Sequence, residues 1–137
     1  MKMQTRASKP AKPLIMVVDD EESLRLVLRA VLRAHGFRVL VASRGDDALR
    51  ICKRIRRPIA LMVTDLQLPG LSGFELAEEA ARLRPRMPVL FISGGFRDHD
   101  CKIRERLGPG REFLAKPFNL NSFASKLDSM MSVPQSA

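Results

Sequence analysis

The stretch LMVTDLQLPG, residues 61–70, runs four apolar or β-branched residues straight into Asp65 and then into a Pro-Gly turn. A continuous apolar run of strand length predicts a strand buried on both faces, as in a parallel sheet. Carboxylates resist burial. Asp65, at the end of such a strand, is therefore either a loop cap or a group placed for chemistry.

The same pattern recurs along the chain. LIMVVDD (14–20) is a second apolar run, ending in Asp19 and Asp20, and FRVLVAS (37–43), VLFISGG (89–95) and EFLAKPF (112–118) read as further strands. Helical periods separate them. Leu24, Val27, Leu28, Val31 and Leu32 recur at spacings of three and four, opposite Arg25, Arg29 and Arg33, and Gly36 closes that helix. Residues 45–55 put Ala48, Cys52 and Ile55 on one face, with Asp46 or Asp47 in the first turn. Residues 72–83 form a helix capped by Ser72 and stopped by RPRMP. A thin apolar face marks a helix at about 98–107, and Leu120, Phe123, Leu127 and Met130 mark a last one, with Asn119 as its cap. Strands that alternate with helices and are continuously apolar predict an α/β fold, a doubly wound (βα)5 domain with a five-stranded parallel sheet.

With 137 residues the chain has the size of one domain with one core. Residues 1–13 hold Lys2, Arg6, Lys9 and Lys12 and no acid, and read as a disordered basic tail; the domain spans 14–131, and 132–137 form a short C-terminal tail. No apolar run approaches the roughly 20 residues needed to cross a bilayer, and the N-terminus lacks the apolar centre of a signal peptide, so no membrane contact and a cytoplasmic location are expected. Cys52 and Cys101 have no partners at metal-ligand spacing and read as small hydrophobes. His35 and His99 match no motif and read as surface or helix-end residues.

The net charge of +9 remains basic after the tail is set aside. Lys53, Arg54, Arg56 and Arg57 cluster near a helix end, which reads as a solvated face favoured by the helix dipole, with an acidic partner or nucleic acid as the alternative. The chain has no Trp or Tyr to stack on bases. Direct DNA binding is accordingly disfavoured.

In open parallel sheets, ligands gather at the carboxyl ends of the strands. Asp19 and Asp20 end the first strand, Asp65 the third, Ser93 the fourth, and Lys116 follows the fifth. Three carboxylates brought together would repel one another unless a cation neutralised them, and a hard divalent ion suits oxygen donors. The segments VVDDEE, VTDLQLPGLSG, LFISGG and FLAKPF, in this order, resemble the receiver domain of two-component response regulators over about residues 14–131.

The resemblance implies a flavodoxin-like sheet of order 2-1-3-4-5, and it implies roles. Asp65 would be the phosphoacceptor. Asp20 would ligate Mg²⁺ (or Mn²⁺) directly, Asp19 through water, and Gln67 through its backbone carbonyl, with Asp65 completing the set. Ser93 and Lys116 would bind the phosphoryl group, Ser93 and Phe113 would form the switch, and Pro117 would follow a cis peptide bond. Gln67 and Gly95 would flank the route of the water that hydrolyses the aspartyl phosphate. The implied donor is a sensor histidine kinase or a histidine phosphotransfer protein. The output would be altered protein contacts of a monomer or a phosphorylation-dependent dimer, and the chain would not be an enzyme beyond its own phosphotransfer and dephosphorylation.

Two other classes remain open. A Mg²⁺-dependent phosphatase also sets carboxylates at strand ends, but its paired acids stand one residue apart, whereas Asp19 and Asp20 are adjacent. A receiver-like module that docks partners independently of phosphorylation is the other.

Overall fold

The computed structural model of the chain describes residues 12–94 and 107–132. Five strands alternate with helices: β1 (Leu14–Val18), α1 (Glu22–Ala34), β2 (Arg38–Ala42), α2 (Gly45–Arg54), β3 (Leu61–Asp65), α3 (Gly73–Leu83), β4 (Val89–Ser93), β5 (Arg111–Ala115) and α4 (Leu120–Ser132). All pairings are parallel, in the order β2-β1-β3-β4-β5. The helix expected over about 98–107 lies outside the described residues except for its last position. So do Gly95, His99, Cys101, most of the N-terminal tail and nearly all of the C-terminal one.

The apolar runs are explained by two cores, one on each face of the sheet. Every residue of β1, β3 and β4 is buried. Leu14, Met16, Val18, Met62 and Phe91 pack with Ala48, Cys52, Leu76 and Ala80 of α2 and α3. The alternate positions Ile15, Val17, Val63, Leu90 and Ile92 pack with Leu28 and Leu32 of α1 and with Phe123, Leu127 and Met130 of α4. Pleating sends neighbours to opposite faces, so a strand covered on both sides shows no polar alternation.

The expected caps are present. Ser72 and Glu75 form a reciprocal capping box at the start of α3, and Asn119 Oδ1 accepts from the Ser122 N–H at 2.7 Å. Gly36, at φ 90°, ends α1 in the left-handed region. Two positions depart from the expected core. Val27 and Leu120 are 45% and 46% exposed, because both line an open groove where α1 approaches the β5–α4 loop, and nothing in the sheet reaches them. Among the described residues, no helix is long and apolar enough to cross a membrane.

Candidate functional site

Parallel pairing brings the carboxyl ends of β1, β3, β4 and β5 to one edge, with the expected residues on it. Asp19, Asp20 and Asp65 each offer a carboxylate oxygen, all within 4.8 Å of one another. Asp19 is fully buried and Asp65 nearly so, while Asp20 is exposed. Lys116 enters from the loop after β5. Its Nζ donates to Asp65 Oδ2 at 3.1 Å and to Asp19 Oδ2 at 3.3 Å.

Backbone donors hold the remaining oxygens of the two buried acids. The Glu21 N–H donates to Asp19 Oδ1 at 2.8 Å, and the Gln67 N–H to Asp65 Oδ1 at 3.0 Å. Each carboxylate thus folds back on the loop that follows its own strand, which fixes its orientation. Burial pushes the Asp19 carboxyl above its ordinary range, and the charge of Asp65 adds to this; the Glu21 N–H and Lys116 oppose it. Burial would lower the Lys116 ammonium, but its bonds to Asp65 and Asp19 and their charges override this and raise it. Lys116 stays charged.

Hard oxygen donors, with no sulfur or imidazole among them, fit a hard divalent cation such as Mg²⁺ or Mn²⁺. One lysine between two buried carboxylates and a third acid leaves negative charge uncompensated, which favours such an ion further. Gln67, on the exposed loop after β3, is tied to Asp65 by its N–H.

Ser93 is buried at the end of β4, one position beyond the partner of Asp65 in the register, and its carbonyl accepts the Lys116 N–H at 2.7 Å. The Lys116–Pro117 bond is cis. Phe113 is not part of the cluster. It is buried on β5 opposite Phe91, in the core beneath α2 and α3.

Three contributors were missed in the sequence pattern. Arg25, read there only as part of a polar helix face, donates from Nη1 to the Asp19 carbonyl at 2.7 Å. Thr64 Oγ1 donates to the Asp65 carbonyl at 3.0 Å. Gly73 packs so closely that an added Cβ would lie 2.2 Å from the Asp65 carbonyl oxygen. The Gly in LSGFEL was the only cue to this contact, since a glycine opening a helix is otherwise a poor helix former.

The sequence profile of the response regulator receiver domain matches residues 15–128. The phosphate regulon transcriptional regulatory protein PhoB of Rhizobium meliloti is 32% identical over 123 residues, covering 87% of this chain and 52% of the regulator. The chain thus spans about half the length of that relative. A response regulator receiver protein from Sinorhizobium medicae superimposes with a TM-score of 0.79 at 26% identity, covering 89% of this chain and 96% of the other. The receiver domain of a sensor histidine kinase from Pseudomonas aeruginosa, solved with a magnesium ion coordinated in its active-site cleft, gives 0.77 at 26% identity, covering 90% and 100%.

Proposed function

Because the chain belongs to the response regulator receiver domain family, we propose that it is a phosphorylation switch in which Asp65 accepts a phosphoryl group. The observation that carries this reading is Lys116 Nζ, within hydrogen-bonding distance of both Asp65 and Asp19 at the acidic edge. An Asp65 carboxylate oxygen attacks the phosphorus of a phosphohistidine on a sensor histidine kinase or a histidine phosphotransfer protein. The P–N bond breaks, the imidazole keeps the electron pair, and an aspartyl phosphate forms.

Asp19, Asp20, Asp65 and the peptide carbonyl of Gln67 would hold Mg²⁺ or Mn²⁺, which when bound would supply positive charge against the phosphoryl oxygens. Lys116, bonded to Asp65 and Asp19, adds its own positive charge beside the attacking carboxylate. The Ser93 hydroxyl donates to a phosphoryl oxygen, and Phe113 repacks as Ser93 moves. The surface of β5 and α4 then shifts between two packings and changes which protein the domain contacts, as a monomer or a dimer formed on phosphorylation. On this reading the chain catalyses only its own phosphotransfer and dephosphorylation, and it works in the cytoplasm beside its donor.

The test is intact-mass measurement of the wild type and Asp65→Asn after incubation with acetyl phosphate and Mg²⁺, repeated in EDTA. A phosphoryl adduct on the wild type alone, lost in EDTA, is the expected result. No adduct, with a phosphohistidine donor failing as well, would leave a docking module that works independently of phosphorylation.

A further inference from the structure

The end of the sheet remote from Asp65 carries an open groove of about 480 Å³ between the segments leading into β3 and β4. Pro58, Ile59, Met87 and Pro88 wall it, and Arg84 and Arg86 stand on its lining. Five-residue strands put it roughly 16 Å from the acidic edge.

The charge around this groove is one-sided. No Asp or Glu occurs in residues 53–60 or 84–88. Arg84 is committed to the fold, donating to the carbonyls of Cys52, Arg57 and Ile55. Lys53, Arg54, Arg56 and Arg86 are exposed, and among the described residues none has an ion-pair partner, a condition they share with Arg33 and Arg38 elsewhere on the surface. The dipole of α2 accounts for Lys53 and Arg54 in its last turn, but not for Arg56 or Arg86. Arg57 donates to the Lys12 carbonyl and is likewise committed to the fold.

We infer that this groove docks an acidic segment of a partner protein, seating an apolar side chain among the prolines while its carboxylates pair with Arg86 on the lining and with Arg56, two residues ahead of Pro58 in the chain. Guanidinium groups match carboxylates through paired N–H bonds, and the volume falls within the range of about 300–1,000 Å³ found for small-ligand clefts, which leaves room for an apolar side chain. Most of the lining is proline, isoleucine and methionine, which suits an apolar side chain, and the chain has neither Trp nor Tyr to stack on bases. A peptide therefore fits better than a nucleic acid. Given the distance from Asp65, docking here does not depend on the proposed phosphorylation.

The experiment is a ¹H–¹⁵N correlation titration of the full chain in physiological salt. The probes are a short synthetic peptide alternating glutamate with leucine, its glutamine counterpart, a mixed-sequence DNA duplex and phosphatidylserine vesicles. The expected result is shifts confined to residues 56–60 and 84–88 with the glutamate peptide only. These should persist in Asp65→Asn and weaken about tenfold in Arg56→Glu/Arg86→Glu, from the loss of two charge pairs and their replacement by repulsion. The dispersed spectrum of that double variant would show that it folds. Equal binding of the glutamine peptide, stronger binding of duplex or vesicles at these residues, or no shift with the glutamate peptide would each overturn the inference.

Discussion

Lys116 Nζ lies 3.1 Å from Asp65 Oδ2, although β4 separates the strands from which the two residues come. The long lysine side chain spans that strand and reaches Asp19 as well. Removing it should leave two buried carboxylates without their cation. Lys116→Ala should slow labelling by acetyl phosphate by about 10²–10³-fold, the usual cost of losing a preorganised charge at a reacting oxygen. Mg²⁺ affinity, read by calorimetry, should not fall, because a competing cation has gone. Weaker Mg²⁺ binding with unchanged labelling would invert the proposed role.

Asp19 sets a pH dependence. Burial lifts its carboxyl above the ordinary 3.8, so ionisation costs the folded state more than the unfolded one. Its contribution to stability is whole below the unfolded value and is lost as pH rises through the higher folded value. In EDTA at neutral pH, Asp19→Asn should therefore melt above the wild type, the gap closing as pH falls to about 4. Added Mg²⁺ should raise the melting temperature of the wild type more than that of the variant. A lower melting temperature for Asp19→Asn in EDTA would show that its bonds to Glu21 and Lys116 outweigh its burial.

The elements were legible because each leaves a period, a run or a boundary residue: continuous apolar strands, Leu28 and Leu32 at helical spacing, Ser72 at the start of its helix. Strand order was not, since periodicity reports faces and not neighbours, and here it came from the resemblance. The acids at the carboxyl edge were readable from their place at strand ends. Arg25, Thr64 and Gly73 were not, because a side-chain bond to a backbone carbonyl or a close backbone approach leaves no period. Val27 and Leu120 misled for the converse reason: an apolar residue on a helical stripe predicts burial only where something covers it.

Gly73 and Ser72 are adjacent and should separate structural from functional loss. Ser72→Ala removes the capping box of α3 and should cost about 1 kcal/mol while leaving Mg²⁺ binding and labelling intact. Gly73→Ala drives a methyl into the Asp65 carbonyl and the Leu66 Cα, where backbone cannot yield cheaply. It should cost about 1–3 kcal/mol by overpacking and should also impair labelling, because the displaced backbone carries Asp65. Urea midpoints and adduct yield on the same samples distinguish the two. A Gly73→Ala protein that labels as the wild type does would show that the α3 junction moves without disturbing the site.

Arg84 joins the ends of two helices. From the C-cap of α3 its guanidinium donates to the carbonyls of Cys52, Ile55 and Arg57, at and beyond the end of α2. These include groups that a helix end leaves without intrahelical partners, and one planar fork serves all three. Lysine carries the same charge but has no fork, so Arg84→Lys should destabilise the fold by about 2 kcal/mol, the scale of losing charged hydrogen bonds. The urea midpoint should drop while labelling of Asp65, at the far end of the sheet, keeps its rate under native conditions. A variant as stable as the wild type would show that charge near the α2 dipole, rather than the forked bonding, holds this junction.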